Sequence, residues 1–303
     1  MRFGIVVLPQ EPWAVARRHW AATEELGFDH AWTYDHLSWR SLASEPWGAT
    51  IPTLTAAATV TSTIGLGTFV SSPNFRHPVP FAKEIATLDD IAGGRVILGI
   101  GSGGTGFDAT VLGQPELSAR KRHERFAEFV EHLDVLLRHE PTASAEGITL
   151  TGQWFEAHGA RMVGTPAQLP RVPFVLAANG PKGLRVVAQH GSGWVTTGPE
   201  GATGQDWWNA VAALAERLDT AASATGRDPA SIDRYLSLDS GGSFALESVA
   251  AFEDATARAA SLGFTDVVVH WPRRDGVYAG SVDVLEAVAA RLPTLRALTA
   301  PAR

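Results

Sequence analysis

The chain has no cysteine, only three lysines against 22 arginines, and no run of 18 apolar residues. Without cysteine there is no disulfide framework, no thiolate nucleophile and no cysteine ligand for a metal. Without a long apolar run there is no membrane-spanning helix, and the opening Met1-Arg2-Phe3-Gly4-Ile5-Val6-Val7-Leu8-Pro9 is too short before Pro9 to serve as a signal sequence. It reads as a first strand, and the expected location is the cytoplasm. A basic excess is missing as well. A net charge of −7 and a pI near 5.8 argue against nucleic acid or an anionic membrane as a global partner, so any anionic ligand must be caught locally. The ten histidines show no H-E-x-x-H or comparable spacing, which leaves no metal signature. No G-x-S-x-G elbow exists, so serine hydrolysis lacks its usual mark.

What is present is an ordinary globular composition, 45% hydrophobic and 19% charged over 303 residues, enough for one large single-core domain over 1–303. Strand-like runs fall at 2–8, 30–34, 64–70, 95–100, 172–178, 193–197, 234–238 and 265–271. Helical patterns lie between and after them, at 12–26, 51–62, 78–91, 120–138, 181–190, 205–225, 246–262 and 281–298. Strict alternation means a parallel sheet covered by helices, and eight such units specify an α/β fold, a (β/α)8 TIM barrel with its working residues at the C-terminal strand ends. Two connections are too long for plain turns. These are 35–50, carrying His36, Trp39 and Trp47, and the glycine-rich 101–119, carrying Phe107 and Asp108. Both follow strands, the second and the fourth, and both would overhang the barrel mouth. A third insertion, 139–171, follows the fourth helix and reads as a structural hairpin.

The most telling stretch is 172–183. The apolar run Val172-Pro173-Phe174-Val175-Leu176-Ala177-Ala178 breaks at Asn179-Gly180-Pro181-Lys182 and leads directly into a helical pattern. Gly180 lets a backbone approach closely, Pro181 suits a first helical position, and free amides at a positive helix end attract phosphate. An ordinary strand-to-helix turn has the same residues. Gly99-Ile100-Gly101-Ser102-Gly103-Gly104 matches a dinucleotide fingerprint in spacing, but no helix opens there and no acid follows at the next strand end. A glycine-lined approach for a flat ring accounts for it better. Tyr34-Asp35-His36-Leu37-Ser38-Trp39 leaves the second strand, and His36 has the resting pKa for proton-donor work. Taken alone, Asp35 could equally cap the next segment while His36 packs.

Taken together, several segments resemble the luciferase-like family of flavin and deazaflavin oxidoreductases, and within it the branch that uses coenzyme F420. They are Asp35-His36 with Trp39, Gly67-Thr68-x-Val70 with Pro73 and Phe75-Arg76, Leu98-Gly99-x-Gly101-Ser102-Gly103, and Ala177-Ala178-x-Gly180-Pro181 through Gly193-Trp194. The match runs in family order over residues 1 to 200. The resemblance implies that Asp35 holds the deazaflavin and that His36 and Trp39 line the active site beside its reactive carbon. It implies a non-prolyl cis bond at Phe69-Val70 that buttresses the ring, cofactor contacts from Ser102 and Gly103, and a cofactor phosphate held by Ala177, Ala178, Asn179, Gly180, Pro181 and Lys182.

Departures from the family's sugar-phosphate dehydrogenases are equally informative. Their acidic residue after the Ser-Gly pair is Gly104 here, and their phosphate-binding lysine near the sixth strand is Glu200. A carboxylate there repels a phosphate by about 1 to 4 kcal/mol, so an uncharged or cationic organic substrate is expected. The resulting expectation is hydride transfer between F420 and a small organic molecule, reduction of an activated C=C or C=N bond being one form, by a homodimer. An FMN-dependent monooxygenase of the same family and a barrel that binds flavin without catalysis are the alternatives.

Overall fold

The structure is a computed structural model and describes residues 1–138, 146–163 and 167–298. Parts of the expected hairpin insertion, 139–145 and 164–166, lie outside the described residues. In chain order the strands are β1 (Arg2–Val6), β2 (His30–Thr33), β3 (Gly65–Thr68), β4 (Val96–Gly101), β5 (Ile148–Leu150), β6 (Ala157–Ala160), β7 (Phe174–Ala177), β8 (Gly193–Thr196), β9 (Asp233–Ser237) and β10 (Asp266–His270). β5 and β6 form a separate antiparallel pair, and the other eight close a barrel in sequence order with β10 returning to β1. Every ladder in that barrel is parallel.

The helices are α1 (Trp13–Glu25), α2 (Thr50–Ala58), α3 (Pro78–Ile91), α4 (Ala119–Leu137), α5 (Pro181–His190), α6 (Gly204–Ala224), α7 (Val249–Ser261), α8 (Val282–Ala289) and α9 (Leu292–Leu298). Their starts follow local chemistry. Proline opens α3 and α5, where a missing N–H costs nothing, and Ser118, Ser248 and Ser281 cap α4, α7 and α8 by accepting amide hydrogen bonds. The pattern expected to run unbroken over 281–298 divides between α8 and α9, because Pro293 can donate no hydrogen bond and tolerates only a helix's first turn. The pattern expected over 51–62 stops at Ala58.

Inside the barrel, large rings fill space that glycines vacate. A methyl added to Gly67 would overlap the Trp32 indole, and one added to Gly4 would overlap the His30 imidazole. Trp32 donates to His30 Nδ1 (2.6 Å), so His30 turns Nε2–H toward Asp266 Oδ1 (2.9 Å). Asp266 also receives two hydrogen bonds from the Arg2 guanidinium (2.7 and 2.8 Å) and is fully buried. This plug closes the N-terminal end and leaves chemistry to the other. Burial alone would raise the Asp266 carboxyl, but the hydrogen bonds from His30 and Arg2 outweigh it and hold it below the usual carboxylate range.

Because the folded Asp266 titrates below its unfolded value, its stabilising contribution is complete above about pH 4 and drains as pH falls toward the folded-state value. Asp266→Asn should cost about 3–5 kcal/mol at neutral pH, since it removes the buried charge that holds the buried His30 and the Arg2 guanidinium. Denaturant titrations across pH should show that the variant loses less stability than the wild type below about pH 4; a parallel pH dependence would contradict the assignment.

Candidate active site at the C-terminal mouth of the barrel

The floor of the mouth is backbone. A methyl on Gly99 would overlap the Thr68 carbonyl oxygen, and one on Gly101 would sit 2.8 Å from Val70 Cγ2 and 3.5 Å from Ala177 Cβ. The exits of β3 and β4 therefore touch directly. Ser71 N–H donates to Gly99 O, Gly101 N–H donates back to Ser71 O (2.8 Å each), and Thr68 Oγ1 donates to Gly99 O at 2.7 Å. Within this knot the Phe69–Val70 peptide is cis, at the position where the family resemblance implies it. One step on, Gly103 adopts φ +75°, and any side chain there would collide with Asn74. Asn74 is in turn anchored by Nη2 of the buried Arg125 (2.5 Å) and donates to Gly104 O (3.3 Å).

Beside that floor lies a cavity of about 390 Å³, lined by Ser102, the 177–183 turn, and Arg120 and His123 of α4. It gathers Ser102, Ala177, Ala178, Asn179, Gly180, Pro181 and Lys182; Gly103, Phe69, Val70, Asp35, His36 and Trp39 are not part of its lining. No side chain caps the N-terminus of α5 at Gly180, and Pro181 has no N–H, so the next amides, those of Lys182 and Gly183, open the helix. A methyl on Gly180 meets nothing within 4 Å, so that side of the turn is open. Asn179 serves the protein rather than the cavity: it accepts from Thr196 Oγ1 (2.7 Å) and donates to Gly198 O (3.0 Å). Trp194 Nε1 holds Ala178 O in the same way (2.7 Å). Arg120 and Lys182 make the opening locally cationic in a chain of net charge −7. Burial, followed by the charge of Lys182, lowers the pKa of His123. A phosphate fits this donor set.

The ring side of the mouth is organised by acids. His36 Nδ1 lies 2.5 Å from Asp108 Oδ2, and Asp108 Oδ1 accepts the Leu37 N–H (2.9 Å). Asp108 is 4% exposed, whereas the His36 side chain is 30% exposed, so the pair presents the imidazole outward from a buried anchor. With Nδ1 turned to the carboxylate, Nε2 is left to meet a substrate or cofactor. Trp39 packs edge-on to Tyr34, with ring centroids 5.1 Å apart. Asp35, 1% exposed, has both oxygens on the Arg76 guanidinium (2.7 and 3.1 Å), and Arg76 also reaches Glu84 (2.9 Å). The Asp35 carboxylate thus ties the exits of β2 and β3 together, and Arg76 faces its own acids rather than solvent. His77 accepts the Val79 N–H at the start of α3 (3.3 Å).

Sequence reasoning passed over Asp108 as a partner of His36, and over Arg120 and His123 as cavity walls. Asp108 could have been singled out as one of only two acids, with Glu116, in the long connection after a barrel strand, and Arg120 as a cation in the first turn of the helix that closes that connection. Neither position predicts which wall it joins.

A sequence profile of luciferase-like monooxygenases matches residues 1–241. An F420-dependent glucose-6-phosphate dehydrogenase from Beutenbergia cavernae is 36% identical over 59% of the chain and 51% of its own length. An F420-dependent hydroxymycolic acid dehydrogenase from Mycobacterium tuberculosis is 32% identical over 85% of the chain and 65% of its own length. The chain spans about half to two thirds of these relatives. Among solved structures, an F420-dependent secondary alcohol dehydrogenase in complex with an F420-acetone adduct superposes with a TM-score of 0.79 at 18% identity, over 97% of this chain and 99% of that one. A monooxygenase from Streptomyces bottropensis superposes with a TM-score of 0.69 at 22% identity, over 99% and 98%. Both share the barrel.

If the open space at Gly180 is a phosphate seat, Gly180→Leu should leave thermal stability within about 2 °C, as a neutral surface change does. The same variant should weaken binding of a phosphorylated ring cofactor by at least about tenfold, or 1.4 kcal/mol. Calorimetric titration that found wild-type affinity would place the phosphate elsewhere.

Proposed function

The chain belongs to the luciferase-like monooxygenase family, and from that premise we propose that it is an oxidoreductase moving hydride between coenzyme F420 and a small organic substrate. The F420-dependent names of its relatives support this reading. The observation that carries it is the arrangement at one barrel mouth of a cationic cavity, a flat backbone floor at the cis Phe69–Val70 peptide, and an outward imidazole anchored by a buried acid. When bound, the deazaflavin supplies a hydride acceptor or donor that reacts sluggishly with oxygen.

The protein supplies the rest. The 177–183 turn and Ser102 hold the phosphate, the β3–β4 knot gives the ring a rigid face, and His36 exchanges a proton at Nε2 while Asp108 fixes its tautomer and direction. Trp39 packs edge-on against Tyr34 at the mouth. Glu200 is exposed in the 198–201 turn, which Asn179 ties to the phosphate turn, and this favours an uncharged or cationic substrate.

His36→Ala should lower kcat by about 10²-fold or more, the size of a lost general acid–base group, with F420 affinity changed little. Asp108→Asn should fold normally and lose a similar factor through the wrong tautomer. Wild-type turnover in either would contradict the role. FMN also ends in a phosphate and fits the same turn. Fluorescence titration of the protein with both cofactors should favour F420, and a tenfold preference for FMN, about 1.4 kcal/mol, would reassign the protein as a flavin-dependent monooxygenase.

A further inference from the structure

A second histidine–aspartate pair stands at the β9–β10 side of the mouth, apart from His36 and Asp108. His270 ends β10, and its Nδ1 lies 2.7 Å from Asp239 Oδ2. The same oxygen accepts the His270 backbone N–H (2.8 Å), while Oδ1 accepts the Ala245 N–H (2.8 Å). Both side chains of the pair are 1% exposed. A carboxylate that already accepts two amides has no proton to give, so Nδ1 donates and Nε2 accepts. The Tyr34 hydroxyl, 2.7 Å from Nε2, spends its single proton there. Its oxygen must then accept from the Tyr278 hydroxyl at 3.0 Å. Asp239 thereby sets the polarity of the whole chain, which runs from Tyr278 to Tyr34 to His270.

Tyr278 is the half-buried end of this chain. Its ring lies flat on the His270 imidazole, with centroids 3.7 Å apart and an interplanar angle of 5°. Trp39 stacks against it at 6.4 Å and 22°, and Phe244 lies tilted at 6.2 Å. Tyr278 holds this place with φ +63°, a left-handed conformation that few residues with side chains adopt and that clusters at functional sites. Burial pushes the Tyr34 phenol well above its usual range and raises that of Tyr278, so both remain protonated near neutrality.

We propose that Tyr278, Tyr34 and His270 form a proton-accepting relay for a substrate hydroxyl. The proposal rests on the F420 reading for its hydride acceptor. The alcohol C–H bond breaks with its electron pair leaving as hydride to the oxidised deazaflavin, and the carbon–oxygen bond becomes a carbonyl. The O–H proton passes to the Tyr278 oxygen as the Tyr278 proton shifts to Tyr34 and the Tyr34 proton to His270 Nε2. Each shift follows a hydrogen bond already pointing that way, and the imidazolium it produces sits against Asp239. Once the carbonyl product has left, the chain reverses and delivers the proton through the half-buried Tyr278 hydroxyl to solvent, which resets it. Tyr278, the half-buried end beside Trp39, takes the substrate proton, while His36 exchanges its proton with the cofactor ring; Tyr34, His270 and Asp239 act through Tyr278.

The first test needs no cofactor. In ¹⁵N-histidine NMR spectra of the whole protein, His270 should carry its proton on Nδ1, and Tyr34→Phe should shift the Nε2 resonance by removing its donor. A proton on Nε2 reverses the chain and overturns the relay. The second test uses F420 with isopropanol and cyclohexanol as hydride donors. Tyr278→Phe should lower kcat at least tenfold and change the solvent isotope effect, with F420 affinity by fluorescence within twofold of wild type. Alcohol oxidation at the wild-type rate in Tyr278→Phe would overturn the proposal. Preference for FMN over F420 would instead sink the cofactor reading, while the NMR result judges the relay independently.

Discussion

The backbone contact between the exits of β3 and β4 is the constraint on which the mouth of the barrel depends. Gly99 has no side chain, so its peptide lies against the Thr68 carbonyl, and the two exits exchange hydrogen bonds through Ser71. That contact makes the floor flat and rigid, since backbone paired on both sides has no rotamers to change. It also fixes where the chain goes next. Ser102 lines the cavity at the α5 N-terminus, and Gly103 bends over Asn74 under the hold of Arg125. Any residue but glycine at 99 would push the exits apart and widen the gap between floor and cavity.

Buried carboxylates do the remaining positioning. Asp35 binds Arg76 across the β2 and β3 exits, Asp108 reaches from the loop after β4 to His36 after β2, and Asp239 after β9 holds His270 at the end of β10. Each is nearly free of solvent, and each fixes one cation or one imidazole. A buried acid with its partners in place is a strong orienting device, because moving either group strands a charge or a donor in a low-dielectric setting. His36 and His270 are thus held as donors at Nδ1 and acceptors at Nε2, one half-exposed and one sealed. The cationic residues cluster elsewhere, at the cavity where Arg120 and Lys182 meet the open amides of α5. Under the proposed function, separation of these two regions would let one mouth hold an anionic cofactor group and handle protons without the charges cancelling.

Much of this was legible in the sequence. Apolar runs followed by helical periods revealed the barrel, because a parallel strand buried on both faces leaves a continuous hydrophobic signature. The turn at 177–183 was legible because Gly180 and Pro181 are a local grammar for a helix start. The pairing of side chains was not legible. His36 and Asp108 are 72 positions apart and Tyr34 and His270 are 236 apart, and only closure of the barrel brings them together. Asp35 illustrates the same limit: its type and place matched a family motif, but its carboxylate is engaged by Arg76, a contact set by the β3–α3 connection. The break between α8 and α9 could have been read from Pro293, yet the apolar period continues across it and hides the interruption.

The most direct measurement of the account is a crystal structure of the protein with F420 bound. The cofactor phosphate should lie within hydrogen-bond distance of the Lys182 and Gly183 amides, the ring against the Phe69–Val70 peptide, and His36 Nε2 and the Tyr278 hydroxyl should face the space beside the ring. A phosphate bound away from the α5 N-terminus, or a ring outside the β3–β4 floor, would contradict it.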